Sequence, residues 1–208
     1  MKILIIDDHL VAREGVKRIL ELQNDISLIY EAINGVDALN LMEAHTFDVI
    51  ILDLSLPGMS GWEVLDKIIE KWPDAHVLVY TMHPVKLFGV RAIIQKALSY
   101  ITKDLTMNVL LDAIRAVAKG EKYLVPELVN LLHNGVPKQE ALPRHLLLTP
   151  QEFKVMIGLA NGKSYKQIAK ELNTVDKTIS THRTNIMEKM GFKKNPELTR
   201  YCMENLLI

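Results

Sequence analysis

Four apolar runs in this chain end on residues that can do polar chemistry. KILII (2–6) leads into Asp7 and Asp8, and DVIILD (48–53) ends on Asp53. HVLVYT (76–81) ends on Thr81, and SYITK (99–103) on Lys103. Three carboxylates brought together repel one another unless a cation lies among them. A hard divalent ion meets that need, because Mg2+ prefers oxygen ligands and commonly shares a phosphate with one or two carboxylates. Lys103 supplies a second positive charge. The set suits a phosphoryl group whose oxygens are held by Mg2+, Lys103 and the Thr81 hydroxyl, with Asp53 as the nucleophile that becomes an acyl phosphate. Taken singly, each residue has a plainer use. Asp7 or Asp8 could cap a helix, Asp53 could belong to the Pro57–Gly58 turn, Thr81 could be a cap and Lys103 a solvated charge. What argues for a site is that all of them close their runs at the same end.

The runs, with SLIYEA (27–32) as the fifth, are short and rich in Ile, Leu and Val, as expected of strands buried on both faces of a parallel sheet. Helical patterns alternate with them. Val11, Val16, Ile19, Leu20 and Leu22 fall close to one face of the first. Val64, Leu65, Ile68 and Ile69 do so in the third, with Ser60 as a possible cap, and residues 106–120 repeat apolar positions up to Gly120. The expectation is a doubly wound α/β domain with a five-stranded parallel sheet, whose ligands bind at the carboxyl ends of the strands.

Composition bounds the rest. The 208 residues are 49% hydrophobic and 24% charged, ordinary for a globular protein, and the one cysteine, Cys202, fits a reducing cytoplasm. No apolar run approaches the roughly 18 residues of a membrane span, and the opening MKILIIDDH does not read as a secretory signal. The net charge of zero conceals a division: residues 1–120 hold 12 basic and 16 acidic residues, and residues 121–208 hold 13 and 9. An acidic part followed by a basic part suggests two domains with different partners.

Residues 121–147, broken by Pro126, Gly135, Pro137 and Pro143, read as a linker containing one short helix, PELVNLLHN. Beyond Leu148 only helices are expected, at about 150–161, 165–172, 176–190 and 196–206. TPQE (149–152) and SYKQ (164–167) are capping boxes at the first two of these.

With those motifs in place, residues 1–120 resemble the CheY-like receiver domain of two-component response regulators, through IIDDH, LDLSLPGMSG, the YT of the fourth run and SYITK. Residues 148–208, through LTPQEFKVMIGLANGKSYKQIAKELNTVDKTISTHRTNIMEKMGF, resemble the all-α, four-helix LuxR-type helix-turn-helix domain of the NarL/FixJ class. The resemblance implies phosphorylation of Asp53 by a sensor histidine kinase, Mg2+ bound by Asp7, Asp8 and Asp53, phosphoryl contact by Lys103, and a switch pair of Thr81 and Tyr100, with Tyr100 turning inward as Thr81 moves. It implies a cytoplasmic transcription regulator, not an enzyme, with double-stranded DNA as ligand, a homodimer when phosphorylated and no membrane partner. Lys177, Thr178, Ser180, Thr181 and Thr184 would meet the major groove. Lys163, Arg183, Lys189, Lys193 and Lys194 would meet phosphates, which give affinity without sequence choice.

A phosphatase of the haloacid dehalogenase type is disfavoured, since its second acid would stand where this chain has Ser55. Ser55 and His83 occupy positions where receivers tend to tune the lifetime of the phosphoryl group. Several residues depart from the family pattern. Lys96 and Ser99 stand where glycines are common, so a loop needing positive φ would have to differ. Val175 replaces a capping serine, leaving Thr174 or Asp176 to cap the recognition helix. Ser180 replaces a base-reading lysine, which leaves protein–protein contact open as an alternative output. Leu198, Tyr201, Cys202 and Leu206 of the last helix are available either for pairing with a second chain or for packing on their own domain. His182 is expected to be partly buried and no metal ligand.

Overall fold

Five strands, β1 (Lys2–Ile6), β2 (Leu28–Ala32), β3 (Val49–Leu52), β4 (Val77–Thr81) and β5 (Ser99–Thr102), form one parallel sheet in the order β2-β1-β3-β4-β5. Every residue of β3 and β4 is buried, as expected of strands covered on both faces. The register places the site: Ile6 pairs with Leu52 and Thr81 with Thr102. Asp7, Asp53, Thr81 and Lys103 therefore emerge at one edge, with the two acids flanking the β1/β3 gap where strand order reverses. The chain is described by a computed structural model over residues 1–133, 144–205 and 207–208, and it divides into two units, Met1–Val136 and Pro137–Ile208. Gly135, Pro137 and Pro143 of the expected linker, and Leu206, lie outside the described residues.

The first unit's helices are α1 (Leu10–Glu21), α2 (Gly35–Ala44), α3 (Gly61–Lys71), α4 (Val85–Ile94), α5 (Met107–Ala118) and α6 (Pro126–His133). In α1, Val16 and Leu20 are buried, but Val11 and the C-cap residue Leu22 are 86% and 79% exposed. At about 100° per residue those two positions lie more than a quarter-turn from Val16, off the buried stripe. In α3, Val64, Leu65 and Ile68 are buried together with Trp62, and Ser60 and Glu63 form a capping box. A side chain at Gly61 would meet the Asp53 carbonyl at 2.2 Å, so only glycine lets α3 start this close to the end of β3.

Part of the segment read as linker is built into this unit. Tyr123 pairs with Ser99 in a parallel bridge, and α6 packs on α4 with Leu128 fully buried.

The second unit has a 3-10 turn (Arg144–Leu147) and then α7 (Pro150–Ala160), α8 (Tyr165–Glu171), α9 (Asp176–Met190) and α10 (Asn195–Glu204). Leu148, Val155, Met156, Ile168, Ile179, Ile186, Met190, Leu198 and Cys202 form its core. Both expected capping boxes, Thr149 with Glu152 and Ser164 with Gln167, are present. Leu198 and Cys202 are fully buried, so that face of α10 serves its own unit. Burial also pushes the Cys202 thiol up to about 11, away from the thiolate needed for redox chemistry.

Candidate functional site

The acidic cluster forms because β1 and β3 end side by side. Asp7 and Asp53 are 3% and 2% exposed, whereas Asp8 is open to solvent. Lys103 reaches across from the end of β5, and its ammonium donates to Asp53 Oδ2 at 2.8 Å and to Asp7 Oδ2 at 2.7 Å. Burial opposes the charge on Asp53, but the hydrogen bond and charge of Lys103 outweigh it and hold the carboxyl below its ordinary range. Lys103 responds in kind: burial would lower its pKa, yet Asp53 and Asp7 raise it.

Ligand atoms of Asp7, Asp8, His9 and Asp53 all lie within 4.8 Å of one another, a cluster that could hold a metal ion. His9 Nδ1 stands 2.9 Å from Asp8 Oδ1. Its imidazole beside Asp8 was not among the expected site residues. Arg13 was also missed. It donates to the Asp7 carbonyl at 2.7 Å and to Glu31 of β2 at 3.1 Å, tying the end of β1 to its neighbour. The signal lay in a cation three residues before Val16 and seven before Leu20, on the buried stripe of α1.

The Thr81 hydroxyl is fully buried and makes no hydrogen bond of ordinary geometry, although it is near enough to favour ionised Asp53. The Ser55 amide donates to Asp53 Oδ1 at 3.3 Å, and Ser55 Oγ lies 2.8 Å from His83 Nε2. Tyr100 already points inward: it is fully buried and its hydroxyl donates to the His83 carbonyl at 3.0 Å. That inward position was expected only on arrival of a phosphoryl group. Burial drives the phenol well above its ordinary pKa, so the hydroxyl keeps its proton. Lys96 has φ +67, while Ser99 is an ordinary residue of β5. The loop thus keeps the left-handed turn of a glycine pattern and makes a lysine adopt it.

In the second unit α8 and α9 are joined by a short turn in which Asn173 has φ +50. Val175 is the N-cap of α9, with no side-chain cap, so neither Thr174 nor Asp176 takes over the capping role. Lys177, Ser180, Thr181 and Thr184 are exposed on α9, and Thr178 is half-buried. Thr181 and Thr184 donate their hydroxyls to the carbonyls of Lys177 and Ser180. The expected phosphate-binding cations divide. Lys193 and Lys194 are exposed. Lys163 is paired with Glu171, and Arg183 donates to Asn195. Lys189 bonds both oxygens of the buried Glu152, at 2.9 and 2.7 Å, joining α9 to α7. His182 is half-buried.

A five-stranded receiver sheet carrying an acidic cluster and a lysine, followed by a helix-turn-helix unit, defines a response regulator. Residues 3–115 match the response regulator receiver domain family, and residues 146–202 match the luxR family of bacterial regulatory proteins. A relative named oxygen regulatory protein NreC, from Staphylococcus carnosus, is 34% identical over 100% of this chain and 99% of its own. Two solved structures of RcsB are similar in fold. One, from Salmonella enterica serovar Typhimurium, is bound to promoter rprA in the presence of phosphomimetic BeF3−; its TM-score is 0.60, with 25% identity over 97% of this chain and 98% of that one. The other shows two RcsB dimers on two parallel DNAs, at a TM-score of 0.61, with 26% identity over 98% of both chains. The chain belongs to the response regulators that join a receiver to a LuxR-type DNA-binding domain, a family of transcription regulators and not of enzymes. Among the described residues, no helix is long and apolar enough to cross a membrane.

Proposed function

We propose that Asp53 is the acceptor of a phosphoryl group delivered by a sensor histidine kinase in the cytoplasm, and that acceptance controls dimerisation and promoter binding by the C-terminal unit. The observation that carries this reading is Asp53 itself, buried at the end of β3 yet held ionised by Lys103, with the buried Thr81 hydroxyl beside it. Thr81 makes no hydrogen bond of ordinary geometry, and a phosphoryl oxygen on Asp53 would give its hydroxyl a better-placed acceptor.

Asp53 attacks phosphorus through the carboxylate oxygen it frees from Lys103. The new O–P bond forms as the N–P bond of the kinase's phosphohistidine breaks and its imidazole leaves, taking up a proton, and Lys103 turns to the phosphoryl oxygens. Mg2+ fits the oxygen donors of Asp7, Asp8 and Asp53 and, when bound, supplies countercharge to the phosphoryl oxygens. Arg13 keeps Asp7 in place through its carbonyl. Thr81 then donates to the phosphoryl group, and Tyr100 packs behind it.

We assign residues 1–120 to the receiver and 148–208 to DNA binding; of the intervening segment, residues 123–133 pack on the receiver as part of its unit. On α9, Lys177, Thr178, Ser180, Thr181 and Thr184 read the groove. Lys193 and Lys194 are better placed for phosphates than Lys163, Arg183 and Lys189, whose polar groups already have partners. The RcsB dimers on DNA support a homodimer on a two-fold site.

The test is selection of genomic fragments by the full-length protein with and without beryllofluoride and Mg2+, alongside Asp53→Asn. Enrichment of a two-fold site that requires both the mimic and Asp53 is the expected result. Equal enrichment in all conditions would remove Asp53 as the gate. No enrichment in any would overturn DNA binding as the output.

A further inference from the structure

The exposed side of α9 is poor in the groups that read bases by hydrogen bonding. At about 100° per residue, Lys177, Ser180, Thr181, Thr184 and Glu188 fall within an arc of about 100°. All five are exposed, and they lie opposite the buried Ile179, Ile186 and Met190. Among the described residues of this side, Lys177 is the one cation. The commonest specific contact, a lysine or arginine on guanine, is therefore open to a single residue. Glu188 carries acceptors alone, and the Ser180 hydroxyl, able to donate or accept, separates the bases poorly.

The two threonines have already committed their donors. The Thr181 hydroxyl donates to the Lys177 carbonyl at 3.1 Å, and the Thr184 hydroxyl to the Ser180 carbonyl at 3.2 Å. Each hydroxyl has one hydrogen, so donating it to a base would break a bond that the helix makes internally. With the oxygen turned back onto the backbone, the branch of each side chain left for a partner is the γ-methyl. The threonines stand three positions apart, neighbours on the helix surface, so their methyls form a short apolar row. In the major groove thymine alone of the four bases offers a methyl, at C5. Contact between the two methyls removes apolar surface from water on both sides and surrenders no hydrogen bond.

We infer that Thr181 and Thr184 are specificity-determining residues that recognise thymine by packing their γ-methyls on its C5-methyl, so that thymines stand opposite them in each half of the DNA site. The inference deepens the reading of α9 as the helix that enters the groove, and rests on it. It gives a recognition helix with Ser180 in place of a base-reading lysine a means of discrimination. It also limits that discrimination, because one buried methyl is worth about fourfold in affinity, and a two-fold site is needed to multiply it.

The test titrates the full-length protein, with beryllofluoride and Mg2+, against a labelled duplex carrying the site it selects, with thymines replaced one at a time by deoxyuridine. Each replacement removes the C5-methyl and leaves every hydrogen-bonding group in place. The expected result is a loss of about fourfold at two thymines of a half-site, and none at the others. Thr181→Ser and Thr184→Ser keep the hydroxyl and lose the methyl. Each should weaken binding and become indifferent to deoxyuridine at one of the two steps. Thr181→Val and Thr184→Val keep the methyl and lose the hydroxyl, and should bind as the wild type does and stay sensitive. The reverse order, with valine weakening binding and serine neutral, would assign the readout to the hydroxyls and overturn the inference. A selected site without thymine, or one on which no deoxyuridine replacement costs affinity, would overturn it too. Absence of any selected site would instead overturn DNA binding as the output, and the inference with it.

Discussion

Lys103 and Asp53 meet at 2.8 Å with both side chains almost wholly buried, and the same ammonium holds Asp7. Removing the cation leaves two buried carboxylates facing one another. Lys103→Ala should lower unfolding stability at neutral pH, without divalent ions, by about 3 kcal/mol or more. The deficit should narrow in acid. In the wild type, Asp53 is held below its unfolded pKa, so its stabilisation is present above that value and fades as pH falls through the lower folded one. In the variant the pull of Lys103 is gone, burial raises Asp53 against the smaller lowering by Thr81 and the Ser55 amide, and protonation relieves the repulsion. Urea titrations in chelator at pH 7 and pH 5 measure both effects, and a deficit that is the same at both pH values would contradict the account.

Lys96 sits at φ +67, where a β-carbon is strained. Lys96→Val should destabilise the first unit by about 1–2 kcal/mol, whereas Lys96→Gly should be neutral or stabilising by up to about 1 kcal/mol. Thermal unfolding of the two variants decides it, and equal effects would mean that the backbone angle carries no cost.

Val175 begins the recognition helix without a side-chain acceptor for the first amides of α9. Val175→Ser should stabilise the second unit by about 1 kcal/mol. Calorimetry of the full-length protein would register the gain as a higher melting temperature for the C-terminal transition alone.

Lys189 and Lys177 stand on one helix with different duties. Lys189→Ala leaves Glu152 buried without its cation and should lower the melting temperature of the second unit. Lys177 is exposed, so Lys177→Ala should leave that temperature unchanged and, as a groove contact, weaken binding to the selected site by about 1–3 kcal/mol, more than to unrelated DNA. Titrations with selected and unrelated DNA, set beside melting curves, separate the two roles.

Burial of His145 should make the stability of the second unit depend on pH. The imidazole lies between Phe153 and Tyr201 with Nδ1 3.0 Å from the Tyr201 hydroxyl, and burial pushes its pKa down to about 4. Because the folded value is below the unfolded one, the unfolded chain binds the proton first. The second unit should be fully stable above about pH 6.5 and lose about 3 kcal/mol as pH falls toward 4. Unfolding of His145→Phe should be flatter over that window, and an unchanged pH dependence would show that another group is responsible.

Much of this molecule follows from local pattern. The apolar runs and their terminal Asp7, Asp53, Thr81 and Lys103 are visible because strand ends in a parallel sheet share an edge, and the Ser60 cap and the capping boxes at Thr149 and Ser164 are visible because they close within four residues. Exposure is harder to read along the chain. Val11 and Leu22 look like core by residue type but turn outward by helical angle, while Arg13 looks like surface and is buried against Glu31 and the Asp7 carbonyl. Partners distant in sequence stay hidden altogether. Lys189 reads as a free basic residue until α7 brings Glu152 beneath it, and Leu128 reads as linker until Gly89 makes room for it. The amino-acid sequence by itself determined an α/β part followed by an all-α part and the polar residues that close the strands, since these depend on residue type and short-range period, and its motifs carried the resemblance to the two domain families. Only the tertiary structure decided which cations are already paired, which faces are covered and that Tyr100 is turned inward, because those depend on contacts between elements that the linear order does not place together.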